Sequence, residues 1–318
     1  MVRIGIDLGG TNIVAGVVNE ENVIIAKAEC KTNLPRPYKA IFEDMAALSK
    51  KAVENAGLTM DDVKYVGVGC PGTCNVFTGL VEYSCNLDFK EVPLQEELSA
   101  MVGKPVYIEN DANAAALGEA VAGAAKGAKN ALCITLGTGV GGGIIDSGKV
   151  FKGFNSAAGE LGHIVIEVDG RPCSCGRNGC WEAYSSATGL IKTTQEKMAE
   201  CEKNGRKTIL HELAKQAGKV NGRIAFDGKR AGDEASCEVV DEYIKYLASG
   251  LATIINIFQP EVLSIGGGIS NEGQYLLDLV TPLVISQIYG TGTVPTPSIR
   301  IATLRNDAGI IGAAVLGL

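Results

Sequence analysis

The stretch GELGHIVIEVDGRPCSCGRNGCWEAY places His163, one of the chain's two histidines, just ahead of Cys173, Cys175 and Cys180, with Glu160 and Glu182 at its two ends. One imidazole and three thiolates make a complete tetrahedral donor set for zinc. A set with no open position implies a structural ion rather than a Lewis acid. The spacing C-x-C-x4-C is tighter at its first pair than the usual C-x2-C. The competing reading, three buried thiols, fits poorly in so polar a loop. An ion bound to one ring nitrogen of His163 would fix the ring and leave its other nitrogen for a ligand.

Three glycine turns form a second group. They lie at Asp7-Leu8-Gly9-Gly10-Thr11-Asn12, at Gly137-Thr138-Gly139 and at Gly266-Gly267-Gly268. Each closes an apolar, strand-like run. A glycine turn at a strand end lets backbone N–H groups approach phosphate oxygens without an intervening side chain. Any one of them could equally be a structural turn without a ligand. Asp7 would repel a phosphate unless a divalent cation lay between them, so it reads as a magnesium partner, or alternatively as a turn-capping aspartate. Gly137, Gly139 and Gly142 satisfy the dinucleotide pattern G-x-G-x-x-G. A strand, turn and strand are expected after them where that fold needs a helix. No phosphate loop of the type G-x-x-x-x-G-K-[ST] occurs. Asn110 and Asp111 stand between a strand and an alanine-rich helix, where a carboxylate can cap the helix and stay ionised. His211 reads as a helix-surface residue.

Elements must exist to hold these groups. The first residues predict a three-stranded meander with a turn at 19–22. Apolar residues at helical spacing predict a helix over 38–56, and YVGVGCPG and PVYIEND read as strands. ANAAALGEAVAGA reads as a helix after the second of these, 233–258 as another ahead of the strand EVLSIGGG, and DAGIIGAAVLGL as a final helix packing on the first part. Aligning IDLGGT with ITLGTG superimposes Leu8 on Leu136 and Gly9 on Gly137, which predicts a duplicated strand–turn–strand unit heading each half.

A chain of 318 residues suggests two lobes. With 46% hydrophobic and 20% charged residues it is expected to be a soluble globular protein. A formal charge of −7 argues against a polynucleotide partner. No signal segment opens the chain, and the longest apolar run, 247–258, is too short to span a bilayer, so a cytoplasmic location with no membrane partner is expected. The remaining cysteines, Cys30, Cys70, Cys74, Cys85, Cys133, Cys201 and Cys237, are expected mostly as packed thiols.

DLGGTN, LGTGVGGG, GELGH and CSCGRNGCWE, in this order along essentially the whole chain, resemble the ROK family (repressor, open reading frame, kinase) of sugar kinases. The resemblance implies an α/β protein of two ribonuclease-H-like lobes, as in actin and hexokinase, with a cleft between them. The small lobe would comprise 1–117 completed by a helix over about 302–318, and the large lobe 118–301 with the zinc loop and dimer surface. It implies ATP-dependent phosphorylation of the 6-hydroxyl of glucose, a step of carbohydrate metabolism and glycolysis. N-acetylglucosamine, N-acetylmannosamine, mannose, fructose and allose are alternative substrates. Asp111 would be the general base. The sugar would be held by Gly72, Asn86, Asn110, Asp111, Glu160, His163 and Glu182. ATP and its phosphates would lie on Asp7, Gly9, Gly10, Thr11, Asn12, Gly137, Thr138, Gly139 and the adenosine turn Gly266, Gly267 and Gly268. Mg2+, a structural Zn2+ on His163, Cys173, Cys175 and Cys180, and a homodimer or tetramer complete the expectation. Family repressors carry a DNA-binding segment before the DLGGT strand, where this sequence has only Met1 to Ile6, so a regulator is disfavoured.

Overall fold

The computed structural model describes all 318 residues. The chain opens with strands β1 (Val2–Leu8), β2 (Asn12–Val18) and β3 (Ile24–Lys31), helix α1 (Tyr38–Asn55) and β4 (Val63–Cys70). A small antiparallel sheet, β5 (Thr73–Asn75), β6 (Leu80–Ser84) and β7 (Phe89–Val92), precedes α2 (Leu94–Val102), β8 (Val106–Asn110) and α3 (Asp111–Ala122). The pattern then begins again with β9 (Ala131–Leu136), β10 (Val140–Asp146) and β11 (Lys149–Val150). A long irregular segment leads to α4 (Glu182–Ser185), α5 (Ala187–Asn204), α6 (Leu210–Gln216), α7 (Ile224–Arg230) and α8 (Glu234–Phe258). The chain closes with β12 (Val262–Gly266), α9 (Gln274–Gln287), β13 (Ser298–Ile301) and α10 (Asp307–Ala314).

The duplication predicted from the two glycine turns is visible in the strand order. One five-stranded sheet runs β3-β2-β1-β4-β8 and the other β11-β10-β9-β12-β13. In each, an antiparallel hairpin forms one side of the first strand and the later strands lie on the other. A ribonuclease-H-like sheet has this arrangement. The chain falls into two compact units, residues 1–133, 142–159 and 302–318 in one, and 134–141 and 160–301 in the other.

In the first unit α10 lies directly on the sheet. Gly16, Gly5 and Gly67 are register partners across β2, β1 and β4. A Cβ on Gly5 would come 1.8 Å from the Ile310 carbonyl oxygen, and one on Gly67 equally close to that of Ala313. The glycine row is therefore a trough in which helix backbone rests on strand backbone. The same closeness joins α10 to α3, where a Cβ on Gly312 would meet the Ala114 carbonyl oxygen at 1.6 Å. Beneath α1, the Ile4, Ile6, Phe42, Met45 and Val66 side chains form a fully buried core.

In the second unit α8 is the central helix. Asp233 caps it by accepting from the Ser236 N–H at 2.9 Å, and Val240, Leu247, Leu251 and Ile255 line its buried face. No helix is long and apolar enough to cross a membrane. His211 lies on α6 with its side chain partly exposed, and of the scattered cysteines Cys85 is exposed rather than packed.

Candidate functional site

In the first unit, the strand β8 runs directly into α3, and the junction is Asn110-Asp111. The Asn110 Oδ1 accepts from the N–H groups of Ala112 (2.9 Å) and Asn113 (3.1 Å), so Asn110 rather than Asp111 is the helix cap. Its Nδ2 donates to the Gly72 carbonyl at 3.0 Å. Gly72 has φ +104° and no room for a side chain, since a Cβ would lie 2.2 Å from the Tyr83 carbonyl oxygen. Asp111 is left with one oxygen on its neighbour's N–H, Ala112 at 2.9 Å. Burial raises its pKa above the ordinary carboxylate value.

Asp7 lies close by. It is in register with Gly69 on β4, and a Cβ on Gly69 would sit 3.6 Å from the Asp111 Cα. Burial, then the charge of Asp111, pushes the Asp7 carboxyl up to about 6. Two partly desolvated carboxylates placed together in this way suit a divalent cation, which would offset both the burial and the repulsion.

The first glycine turn follows β1. The Gly9 N–H donates to the Asn12 carbonyl (2.9 Å), the Thr32 hydroxyl donates to the Gly9 carbonyl (2.6 Å), and Lys31 Nζ donates to Asn12 Oδ1 (2.8 Å). Gly10, Thr11 and Asn12 are exposed. A Cβ on Gly10 would approach Asn86 Cβ at 3.9 Å, so the turn and this exposed asparagine are neighbours. Beside Asn86 a hollow of about 440 Å³ is lined by residues 34–38 and 85–89.

In the second unit, the turn Gly137-Thr138-Gly139 is stitched to the helices after the cysteine loop. Its carbonyls are engaged: the Gly137 oxygen accepts from the Ala187 N–H (2.8 Å) and the Thr138 oxygen from the Thr188 hydroxyl (2.7 Å). The Gly137 N–H donates to the Gly139 carbonyl at 3.0 Å, so the N–H groups of Thr138 and Gly139 are the ones the turn leaves for a phosphate. Its glycines differ in cause. A Cβ on Gly137 would meet nothing within 4 Å, whereas one on Gly139 would lie 2.2 Å from Glu182 Oε2. That same Glu182 oxygen accepts from the Val140 N–H at 3.0 Å, and its other oxygen takes the Ser174 hydroxyl at 3.4 Å. Glu182 thus ties the glycine turn to the cysteine loop.

The loop brings all four expected ligands together. The donor atoms of His163, Cys173, Cys175 and Cys180 lie within 4.8 Å of one another. Cys173 Sγ is 3.6 Å from His163 Nδ1, and Cys175 Sγ is 3.6 Å from Cys180 Sγ. Tetrahedral zinc with ordinary bond lengths would give edges of roughly 3.6 to 3.8 Å. Burial, then the neighbouring thiols, pushes Cys180 up to about 12, which a cation on these sulfurs would offset. Local backbone holds the set: Gly176 and Gly179 take φ of +85° and +76°, and the Ile166 and Trp181 N–H groups donate to the Gly179 and Ile164 carbonyls. Glu160 is exposed one turn before His163, its carbonyl accepting the His163 N–H at 3.1 Å.

The third glycine turn divides. Gly266 ends β12, and Gly267 (φ +82°) is packed on β9, where a Cβ would lie 2.5 Å from the Leu136 carbonyl oxygen. Gly268 alone faces open space and lines a cavity of about 710 Å³ with Asn221, Gly222, Arg223, Ile269 and Asn271. At its rim Arg230 pairs with Asp227 at 2.8 Å and with Glu272. Sequence reasoning found this cavity only through its glycines. Asn221 and Arg223 lie in a loop whose composition carries no motif.

A family model described as the ROK family matches residues 3–318. A protein named glucokinase from Streptomyces coelicolor is 37% identical over 315 residues, which are 99% of this chain and 97% of that one. A glucokinase of Thermotoga maritima is 36% identical, over 98% of this chain and 95% of its own length. Among solved structures, a ROK family glucokinase from Streptomyces griseus in complex with glucose and AMPPNP is 35% identical, with a TM-score of 0.80 and 99% of both chains covered.

Proposed function

The chain belongs to the ROK family, and on that premise we propose that it is an ATP-dependent glucokinase, transferring the γ-phosphoryl group to the 6-hydroxyl of glucose. The observation that carries this reading is the Asn110-Asp111 junction, a capped and partly buried carboxylate with raised proton affinity and a second carboxylate, Asp7, beside it. The full-length likeness to relatives named glucokinase supports the choice of sugar.

In this reading the Asp111 carboxylate accepts the 6-hydroxyl proton as that oxygen bonds to the γ-phosphorus and the bond to the ADP leaving oxygen breaks. Phosphoryl transfer has a loose transition state, so positioning and charge neutralisation dominate and the base acts late. Gly72, Asn86 and Asn110 complete the sugar contacts on the unit that carries the base. Glu160, His163 Nε2 and Glu182 supply further contacts to its hydroxyls. Phosphates lie along the turns Gly9 to Asn12 and Gly137 to Gly139, on the N–H groups of Gly10, Thr11, Thr138 and Gly139, because those of Gly9 and Gly137 are engaged within the turns, and adenosine lies in the cavity at Gly268. Asp7 would hold Mg2+, which neutralises phosphate charge when bound. His163, Cys173, Cys175 and Cys180 would hold Zn2+, which supplies rigidity to the sugar-binding loop. The protein works in the cytoplasm, in keeping with ten free cysteines, and as a homodimer. Exposed Ile257 and Tyr289 offer apolar surface for the dimer.

A second reading, a kinase of 2-acetamido hexoses, is favoured by the hollow beside Asn86, which offers space for a substituent. ADP release measured over glucose, mannose, fructose, N-acetylglucosamine and N-acetylmannosamine separates the two. Glucose is expected to give the highest kcat/KM. ADP formation indifferent to every sugar would sink the kinase reading.

A further inference from the structure

Glu109 immediately precedes the Asn110-Asp111 junction and is fully buried, with 0% of its side chain exposed. A carboxylate in such a place is costly unless each oxygen is engaged. Its Oε1 accepts from the Asn110 N–H and from Asn113 Nδ2, both at 3.1 Å. These donors lie on either side of Asp111 in sequence, so one oxygen clamps the residue before the base and a residue after it. The other oxygen has no hydrogen bond within the α3 turn and faces Lys152 Nζ at 3.3 Å. Lys152 belongs to the segment that runs from β11 to Gly159. That segment is folded back on itself by the Ala158 N–H to Lys152 carbonyl bond of 3.1 Å. Its end reaches the same α3 turn, since a Cβ on Gly159 would lie 3.5 Å from Asn113 Oδ1. Glu160 follows directly.

We propose that Glu109 and Lys152 are a positioning pair for Asp111, and that their ion pair sets the base turn and the segment leading into Glu160 in one arrangement. Neither is assigned a catalytic role: Glu109 is fully buried, and the Lys152 ammonium is turned onto it at 3.3 Å. They act through Asn110, Asn113 and the peptide at Gly159. The inference rests on the reading of Asp111 as the base.

The test is a series of four variants assayed for kcat, for KM of glucose and of ATP, and for melting temperature. Lys152→Met leaves a buried charge unpaired beside the base turn and is expected to lower kcat by about 10²-fold with KM for ATP unchanged, the cost of a small misplacement of a reacting group. Lys152→Arg keeps the charge and should recover most of that kcat. The double variant Glu109→Gln with Lys152→Met removes both charges, while the introduced amide keeps an oxygen for Asn110 and Asn113. It should fold even if Lys152→Met does not, and should regain kcat to within about tenfold of the parent. A Lys152→Met enzyme with kcat within about twofold of the parent would overturn the proposal. So would a loss of kcat that neither the arginine nor the double variant restores. Asp111→Asn completes the series. If it retains turnover the base reading fails. If it is inactive while Lys152→Met is unaffected, only the positioning role fails.

Discussion

The indole of Trp181 occupies the place where Gly250 would carry a side chain: a Cβ built on Gly250 would lie 2.1 Å from the indole Cε2. Trp181 is fully buried, its Nε1 donates to the Tyr246 carbonyl at 3.2 Å, and it stands between Cys180 and Glu182. A glycine inside a 25-residue helix costs helix stability. Here it opens a slot that anchors two groups of the candidate site at once.

Gly250→Ala is therefore expected to improve helix propensity and still destabilise the protein, by roughly 1 to 3 kcal/mol, because the ring must move. It should also raise KM for the sugar, since Glu182 moves with the ring. Thermal unfolding together with steady-state kinetics checks both. An alanine variant as stable as the parent, with unchanged KM, would show that the slot is not needed.

Gly267 and Gly268 are adjacent, and their replacement should have opposite signatures. Gly267→Ala meets the Leu136 backbone at positive φ and should lower the melting temperature, with a cost of about 1 kcal/mol or more. Gly268→Ala puts its Cβ where no protein atom lies within 4 Å and should leave melting unchanged while raising KM for ATP more than KM for glucose. Equal effects of the two on stability would remove the distinction drawn between them.

For Asp7 the expected effect is on stability as a function of pH. Its carboxyl titrates near 6 in the folded protein against an ordinary 3.8, so the folded state binds the proton more tightly than the unfolded state does. This contribution is present below about pH 4, declines as pH rises through about 6, and stays lost above. Asp7→Asn should then be more stable than the parent at pH 7.5 without nucleotide or magnesium, by roughly 1 to 3 kcal/mol. The difference should narrow towards pH 4.5, and turnover should be lost. Urea unfolding of both proteins at the two pH values measures it. A difference that does not change with pH would contradict the assignment.

Removal of metal should act on sugar binding before chemistry. After exhaustive chelation, or in Cys175→Ser, zinc content is expected to fall, melting temperature to drop, and KM for glucose to rise by about tenfold or more. His163→Ala should show all three effects together. A zinc-free preparation that melts and turns over like the parent would refute a structural ion.

Much of the fold was legible before any coordinates. Apolar runs and periodicity located β1 to β3, α1, β4, β8, α3 and α8, because β1 and β4 are buried nearly throughout while α1 and α8 each bury one face. The aligned glycine turns anticipated a duplicated strand–turn–strand unit heading each half, and the matching strand order of the two sheets carries that duplication further. The cysteine loop was equally legible, because its ligands lie close in sequence and its geometry is local.

The residue string by itself determined the elements just named and the candidate donor set of His163, Cys173, Cys175 and Cys180, whereas the role given to Asp111 came only with the family resemblance. It could not say why particular glycines are glycine. Only the tertiary structure separated Gly137 and Gly268, which face open space, from Gly139 and Gly267, which yield to Glu182 and to Leu136. It alone made Asn110 the cap of α3, paired Glu109 with Lys152, and set Trp181 against Gly250. The reason is physical: local spacing fixes what a residue can do with its near neighbours in sequence. Which distant group then takes up its free oxygen, or fills its missing side chain, depends on how the elements pack.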